Sequence, residues 1–397
     1  MKQLALLLAV AAPILAQSLT GTWSSTLSIN GVSIPFLTGI STDGETAKGW
    51  FYNGDDKVNS TSGSFRDGKL TLNFDQYASK LEATYRDGTL TGAYGRQGRT
   101  PNAFTAQLYR ASAVSGPVPN ISGNWEIPVH SPKGESAWHF IVRQNGAEAR
   151  ATILRIDGDT GTLNGVYKDG KFVFSHFSGA RPNLIEVSLE NDGSLKLLQN
   201  GKTQYAAIRE TEARAKGLPA PNDPFHHTTV QDPNAPFAFS FPDLSGKLVS
   251  NTDDRFRGKV VVVAISGSWC PNCHDEAPFL QALYNKYKDQ GLEVVALSFE
   301  EDEQLKNPTR LRAFIKEYGI DYTVLLAGET GELHEKLPQA VNLNSWPTTF
   351  FLGRDGRVRQ VHAGFAGAAS ADYYKSQNAD VATLVEGLLG ENTRTSR

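Results

Sequence analysis

The feature that most limits what this chain can fold into is a pattern repeated at a fixed spacing. Leu19-Thr20-Gly21-Thr22-Trp23 recurs as Ile121-Ser122-Gly123-Asn124-Trp125, and Gly63-Ser64-Phe65-Arg66-Asp67-Gly68-Lys69-Leu70 recurs as Gly165-Val166-Tyr167-Lys168-Asp169-Gly170-Lys171-Phe172. Both recurrences, and the pair Gly44 and Gly146, stand 102 positions apart. Between residues 18 and 210, short alternating runs such as Lys69-Leu70-Thr71-Leu72-Asn73-Phe74 are punctuated by Asp-Gly or Asn-Gly pairs at 43–44, 53–54, 67–68, 87–88, 145–146, 157–158, 169–170 and 192–193. Period-two alternation suits a sheet with one buried face, and these dipeptides accept the positive φ of a tight hairpin. The pattern predicts two successive antiparallel meanders. Curling each into a small barrel or sandwich would hide the edge strands, with Trp23 and Trp125 plugging one end.

The pattern changes after a stretch with several prolines, Gly217-Leu218-Pro219-Ala220-Pro221-Asn222-Asp223-Pro224 and Asp232-Pro233-Asn234-Ala235-Pro236, which reads as a semi-extended linker. His226-His227 within it reads as a solvated pair rather than metal ligands. Beyond the linker, apolar runs at 259–265, 292–299 and 322–326 alternate with helical patterns at 276–290, 308–318 and 332–337. Residues 348–352 and 358–364 then form an antiparallel pair across Gly353-Arg354-Asp355-Gly356, and a helix from about Ala371 ends near Gly390. Such an order describes helix-covered parallel strands with an antiparallel hairpin at one edge, on which His362 is expected to be exposed. The expected divisions are therefore a β unit at 17–113, a second at 114–211, the linker at 212–235 and an α/β domain at 236–392.

A chain of 397 residues is long enough for several cores, and a formal charge of -3 without a Lys/Arg block leaves no electrostatic footprint for nucleic acid. Met1-Lys2, an apolar run from Leu4 to Ala16 and the exit Ile14-Leu15-Ala16-Gln17-Ser18 have the layout of a secretory signal at 1–16. The run is shorter than the roughly 20 residues a membrane span needs, so the processed chain is expected to be periplasmic or secreted and not membrane-spanning.

Two cysteines occur, together in Trp269-Cys270-Pro271-Asn272-Cys273, after an apolar strand and before a helix. A bridge closing so short a loop adds little stability, whereas two thiols at a helix N-terminus can cycle between dithiol and disulfide. Export places the pair where disulfides persist, and the absence of other cysteines leaves it free to turn over.

The segment Gly267-Ser268-Trp269-Cys270-Pro271-Asn272-Cys273-His274-Asp275-Glu276-Ala277-Pro278 resembles the active-site stretch of thioredoxin-like thiol–disulfide oxidoreductases of the TlpA or ResA type. Trp346-Pro347-Thr348-Thr349-Phe350-Phe351 is similar to the cis-proline element of that family. The resemblance covers about residues 236–392. It implies Cys270 as nucleophile, Cys273 as the resolving thiol, and Glu276 as the carboxylate that takes the Cys273 proton or tunes both thiols. It also implies Trp269, Trp346 and Pro347 as the surface beside the disulfide, with a cis bond before Pro347 and backbone groups offered to an extended substrate. Glu276 can equally be read as a first-turn acid that stabilises the helix dipole. The implied partners are disulfide- or dithiol-bearing proteins and a membrane redox donor, with neither cofactor nor metal.

Two further readings differ in class. A peroxiredoxin-like peroxidase would place a threonine three positions before the attacking cysteine, where this chain has Gly267. In the other, the β half binds a ligand and the redox domain acts on whatever is captured. A zinc site through Cys270, Cys273 and His274 lacks a second set of ligands.

Overall fold

The computed structural model describes residues 18–96, 98–110 and 116–391, so the expected signal at 1–16 lies outside the described residues. The N-terminal half forms two nine-stranded antiparallel sheets, each barrel-like. In the first, Val32–Asp43 pairs with both Gly21–Ile29 and Thr46–Asn53, and Gly21–Ile29 pairs with the last strand, Asn102–Leu108, which closes the ring. Asp56–Asn59 folds back on Thr46–Asn53 as a side hairpin. The second sheet runs in the same strand order from Gly123–Pro128 to Thr203–Arg209, and its side hairpin is the two-residue strand Gly158–Asp159 against Glu148–Arg155.

Both interiors are filled by the inward residues of each strand. Phe51, Leu72, Phe74, Leu81 and Phe104 pack in the first, and Phe140, Ile153, Phe172, Phe174 and Leu197 in the second. Trp23 and Trp125 are buried, and each indole N–H donates to a backbone carbonyl, of Leu19 and Ile121, at 2.9 Å. That bond is what allows an indole to be enclosed without leaving its one donor unpaired. The first barrel also receives a side chain from the second. Phe177 packs against Phe36 at 4.8 Å and against Phe51 and Tyr94 at 5.1 Å between ring centroids. Tyr94 then donates to the Gly179 carbonyl at 3.0 Å.

The connecting segment is more ordered than a spacer. It holds the short helices Glu210–Ala215 and Pro224–His227, and Thr229–Val230 pairs with Ala340–Val341. Asp223 caps the second helix by accepting from the Phe225 N–H at 2.9 Å, with Pro224 in the first turn. Phe225 then packs edge-on against His362 at 4.7 Å. Two expectations change because this segment packs onto the C-terminal domain. His362 is buried rather than exposed, its Nδ1 3.0 Å from the Gly364 carbonyl, and His227 is buried with Nε2 2.7 Å from Asn344 Oδ1, while His226 stays in solvent.

The C-terminal domain has the expected sheet, in the order Thr323–Glu329, Leu292–Glu300, Val260–Ser266, Thr348–Leu352, Val358–Ala363. The first three strands are parallel, Thr348–Leu352 runs antiparallel to Val260–Ser266, and Val358–Ala363 runs antiparallel to Thr348–Leu352. Val260–Ser266 is buried on both faces: Val261, Val263 and Ile265 join one core, and Val260, Val262 and Ala264 join the other, beneath the helices Pro271–Tyr287, Thr309–Glu317 and Asp372–Gly390. The strand therefore ends at a fixed height, and the chain leaves it directly into the cysteine pair.

Because Phe177 belongs to the core of a barrel other than its own, Phe177→Ala should destabilise the protein by about 3–5 kcal/mol, the range for emptying a buried phenylalanine site. Denaturant titration checks this against Leu189→Ala, an exposed position where a change of at most about 0.5 kcal/mol is expected.

Candidate functional site

From the end of Val260–Ser266 the chain turns through Gly267-Ser268-Trp269 into the helix Pro271–Tyr287. A side chain at position 267 would lie 2.4 Å from the Trp269 indole nitrogen and 2.7 Å from the Phe299 carbonyl oxygen, so only glycine fits this turn. Behind it, the buried Glu300 carboxylate accepts from the Ser268 N–H at 2.7 Å, the Ser268 hydroxyl at 2.8 Å, the Ser298 hydroxyl at 2.7 Å and Arg310 at 2.8 Å. Trp269 is pinned by its indole N–H to the Phe299 carbonyl at 2.9 Å. A buried ion pair contributes little net stability, but with every partner satisfied it fixes the loop that presents Cys270.

Cys270 is the N-cap residue. Its backbone is extended, φ -89° and ψ 115°, Pro271 follows at the start of the helix, and its sulfur accepts from the Cys273 N–H at 3.3 Å. The free N–H groups and positive end of the helix thus face the sulfur that would carry charge as a thiolate. Both thiols are free, and both residues are buried, 3% and 1% exposed. Burial pushes the Cys273 thiol well above its ordinary value, with further upward contributions from Cys270 and Glu276.

Glu276, one turn further along, is also buried, and burial raises its carboxyl to about 8 against the opposing hydrogen bond from Thr349. That bond, from the Thr349 hydroxyl to Oε1, is 2.7 Å long. Cys273 and Glu276 line one small cavity of about 10 Å³ closed by Leu280, Phe314 and Tyr322. A carboxyl poised near neutrality beside a thiol that resists ionisation is suited to accept its proton.

The Trp346–Pro347 peptide is cis. Trp346 meets Trp269 edge-on at 5.2 Å, and Thr349, two residues past Pro347, holds Glu276. All six residues singled out from the sequence, Cys270, Cys273, Glu276, Trp269, Trp346 and Pro347, thus belong to one locus. His274 offers no free nitrogen to a metal: Nδ1 is 2.9 Å from the Tyr318 hydroxyl and Nε2 2.9 Å from the Ser268 carbonyl. Burial lowers the imidazole to about 3, and its ring stacks on Tyr77 of the first barrel at 4.4 Å.

Sequence reasoning missed the residues that the barrels bring to this site. Arg181 of the second barrel donates to Asn272 Oδ1 at 2.6 Å, to the Asp159 carbonyl at 3.0 Å and to Asp275 Oδ2 at 2.8 Å. Burial acts to lower its guanidinium, but the Asp275 and Asp159 carboxylates outweigh that and hold it above its ordinary value. Burial, together with the Asp275 charge, raises Asp159 to about 6 against the pull of Arg181. Asp157 approaches the other side: its carbonyl accepts from Asn272 Nδ2 at 2.8 Å, and its carboxylate from the Trp346 N–H at 3.2 Å and from Lys133. Arg96 and Arg99 of the first barrel reach Glu301 at 3.4 and 3.3 Å. Nothing local in the sequence marks these positions; Asp157-Gly158 reads there only as a hairpin turn.

Residues 229–375 match the family model described as Redoxin. They form a redoxin domain. Similar curated proteins are the thiol-disulfide oxidoreductases ResA of Bacillus thuringiensis, 34% identical over 125 residues, and of Bacillus subtilis, 29% identical over 165 residues. The first match covers 31% of this chain and 64% of the relative, under two thirds of its length; the second covers 41% and 76%. A thiol:disulfide interchange protein from Chlorobium tepidum is a solved structure with 27% identity and a TM-score of 0.30, covering 39% of this chain and 95% of that one. The redoxin domain contains the cysteine pair, Glu276 and Trp346-Pro347.

The carboxyl of Glu276 ionises near pH 4.5 when unfolded and near 8 when folded. Between those values the unfolded chain has lost a proton that the native protein keeps, so stability should fall as pH rises, by up to about 1.4 kcal/mol per pH unit from this group. Glu276→Gln removes that term, and its melting temperature relative to wild type should rise steadily from pH 5 to 8. Iodoacetamide alkylation of the reduced proteins over the same range should shift in the variant; superimposable alkylation curves would leave Glu276 a purely structural residue.

Proposed function

We propose that this protein is an exported thiol–disulfide oxidoreductase that works through Cys270 and Cys273. The observation that carries the reading is Cys270 at the helix N-cap, its sulfur facing the Cys273 N–H, with Glu276 sharing a cavity with Cys273. The Cys270 thiolate attacks a substrate disulfide, forms a mixed disulfide and releases one substrate thiolate. Cys273 passes its proton to the Glu276 carboxylate and attacks Cys270 Sγ, closing the Cys270–Cys273 disulfide and releasing the second thiolate. Two electrons have moved to the substrate, and a dithiol donor restores the pair. Trp269, Trp346 and Pro347 form the surface along which the substrate disulfide is presented.

Similarity to the thiol-disulfide oxidoreductase ResA supports disulfide-bearing substrates, and the signal-like start at 1–16 supports export and an extracytoplasmic location. A membrane redox donor is the partner that such a location calls for. Among the described residues no helix is long and apolar enough to cross a membrane. The matching strand order of the two barrels, together with the sequence repeat, supports reading them as copies of one unit. Their filled interiors favour a covering role over ligand capture. The boundaries 17–113, 114–211 and 236–392 remain our division of the chain, with 212–235 as the connector.

Reduced protein should be oxidised stoichiometrically by a small disulfide such as bis(2-hydroxyethyl) disulfide, followed by quenched alkylation. Cys270→Ser should abolish the reaction, and Cys273→Ser should accumulate the mixed disulfide because attack proceeds without resolution. Full turnover in Cys270→Ser would refute the assignment of the nucleophile.

A further inference from the structure

The side hairpin of the second barrel lies across the redox domain where a substrate chain would be expected to dock. Its turn runs Arg155-Ile156-Asp157-Gly158, with Leu154 paired to Asp159. Gly158 forms a parallel bridge with Phe365, whose N–H donates to the Asp157 carbonyl at 3.2 Å. Gly364, beside Phe365, donates to the Pro347 carbonyl at 2.7 Å, so this strip of backbone is continuous with the Trp346-Pro347 segment. Asp157 also takes the Trp346 N–H with its carboxylate and the Asn272 amide with its carbonyl. One residue of the β half thus occupies polar groups on both sides of Cys270: the backbone beside Pro347, and the side chain of the residue between the cysteines.

We propose, resting on the oxidoreductase reading above, that the segment Ile156–Asp159 determines substrate specificity by filling the backbone strip beside Trp346-Pro347, so that a polypeptide disulfide reacts only by displacing it. Small disulfides need no such strip. They require access to one sulfur, whereas an extended chain needs backbone groups such as the Trp346 and Phe365 N–H, which Asp157 now occupies. The fit is close on both sides. A Cβ at Gly158, where φ is +117°, would stand 2.0 Å from the Phe365 carbonyl oxygen, and one at Gly364 would stand 2.0 Å from the Ile156 carbonyl oxygen. The strap is also anchored away from the strip, because Ile156 N–H donates to Glu135 at 2.7 Å and Lys133 pairs with the Asp157 carboxylate. It is therefore a built contact, and the barrel fold behind it resists its removal.

The test compares single-turnover oxidation of the reduced full chain by bis(2-hydroxyethyl) disulfide and by an unstructured peptide carrying one disulfide. Gly158→Ala should force the strap off Phe365 and raise the peptide rate relative to the small-disulfide rate by about tenfold, the effect of one lost competing hydrogen bond. Asp157→Ala, which keeps the glycine and removes only the carboxylate, should move the ratio the same way by a smaller factor. Should Gly158→Ala fail to fold, Asp157→Ala alone carries the comparison. An unchanged ratio in the folded variants would overturn the strap while leaving the oxidoreductase reading intact. Failure of reduced wild type to react with the small disulfide would overturn both.

Discussion

Arg181 is a cation mostly withdrawn from water, its side chain 16% exposed, and it joins the second barrel to the redoxin domain. It has a left-handed backbone, φ +53°, in the loop that also carries Phe177 into the first barrel. Its guanidinium crosses to the first turn of the cysteine helix, where Asn272 and Asp275 receive it. A buried charge is tolerated only when it is paired and hydrogen-bonded, so the arginine demands that Asp159, Asp275 and Asn272 stay in place. In turn those residues hold the second barrel, its side hairpin and the redox helix in one register. The same loop that plugs one barrel with a phenyl ring therefore locks the other onto the start of the cysteine helix.

The same packing brings barrel residues to the neighbourhood of the two buried thiols. Cys270 ends the turn that leads into the helix Pro271–Tyr287, its sulfur 3.3 Å from the Cys273 N–H. The barrels then add Tyr77 against His274, Arg181 against Asn272 and Asp157 against Trp346. Each replaces water beside the site with a fixed polar or aromatic group. Cys273 and Glu276 share an apolar-walled cavity in which burial disfavours the charged form of either.

The two barrels are built alike but are not equivalent in use. Asp56–Asn59 and Gly158–Asp159 occupy the same place in their strand orders, yet the second is shorter and the turn before it hydrogen-bonds Trp346 and Asn272. The first contributes the 3₁₀ turn Asp75–Tyr77, which presents Tyr77, and the arginines that pair with Glu301. With side chains filling both interiors, what these barrels offer is outer surface and loops, and those loops are spent on the cysteine site.

How much of this was legible in the sequence follows from the range of the forces involved. Hairpin dipeptides, period-two alternation and the Gly-x-Trp recurrences act over a few residues, and they marked two β units. The alternation of buried strands with helices did the same for the redoxin domain. The cysteine pair was readable from its spacing at a helix start, whereas Trp269, Glu276 and Trp346-Pro347 were marked only by the family resemblance, since a first-turn acid and a turn proline carry no site signal of their own. Tertiary structure alone decided that His362 and His227 are buried, since Phe225 over His362 and Asn344 beside His227 each come from more than a hundred positions away in the chain. It alone decided that Arg181, Asp157 and Tyr77 stand at the cysteine pair, because no local propensity encodes which distant surface an exposed-looking arginine or hairpin aspartate will meet. Local chemistry chose the elements and the reactive pair; burial, which depends on every neighbour at once, chose what surrounds them.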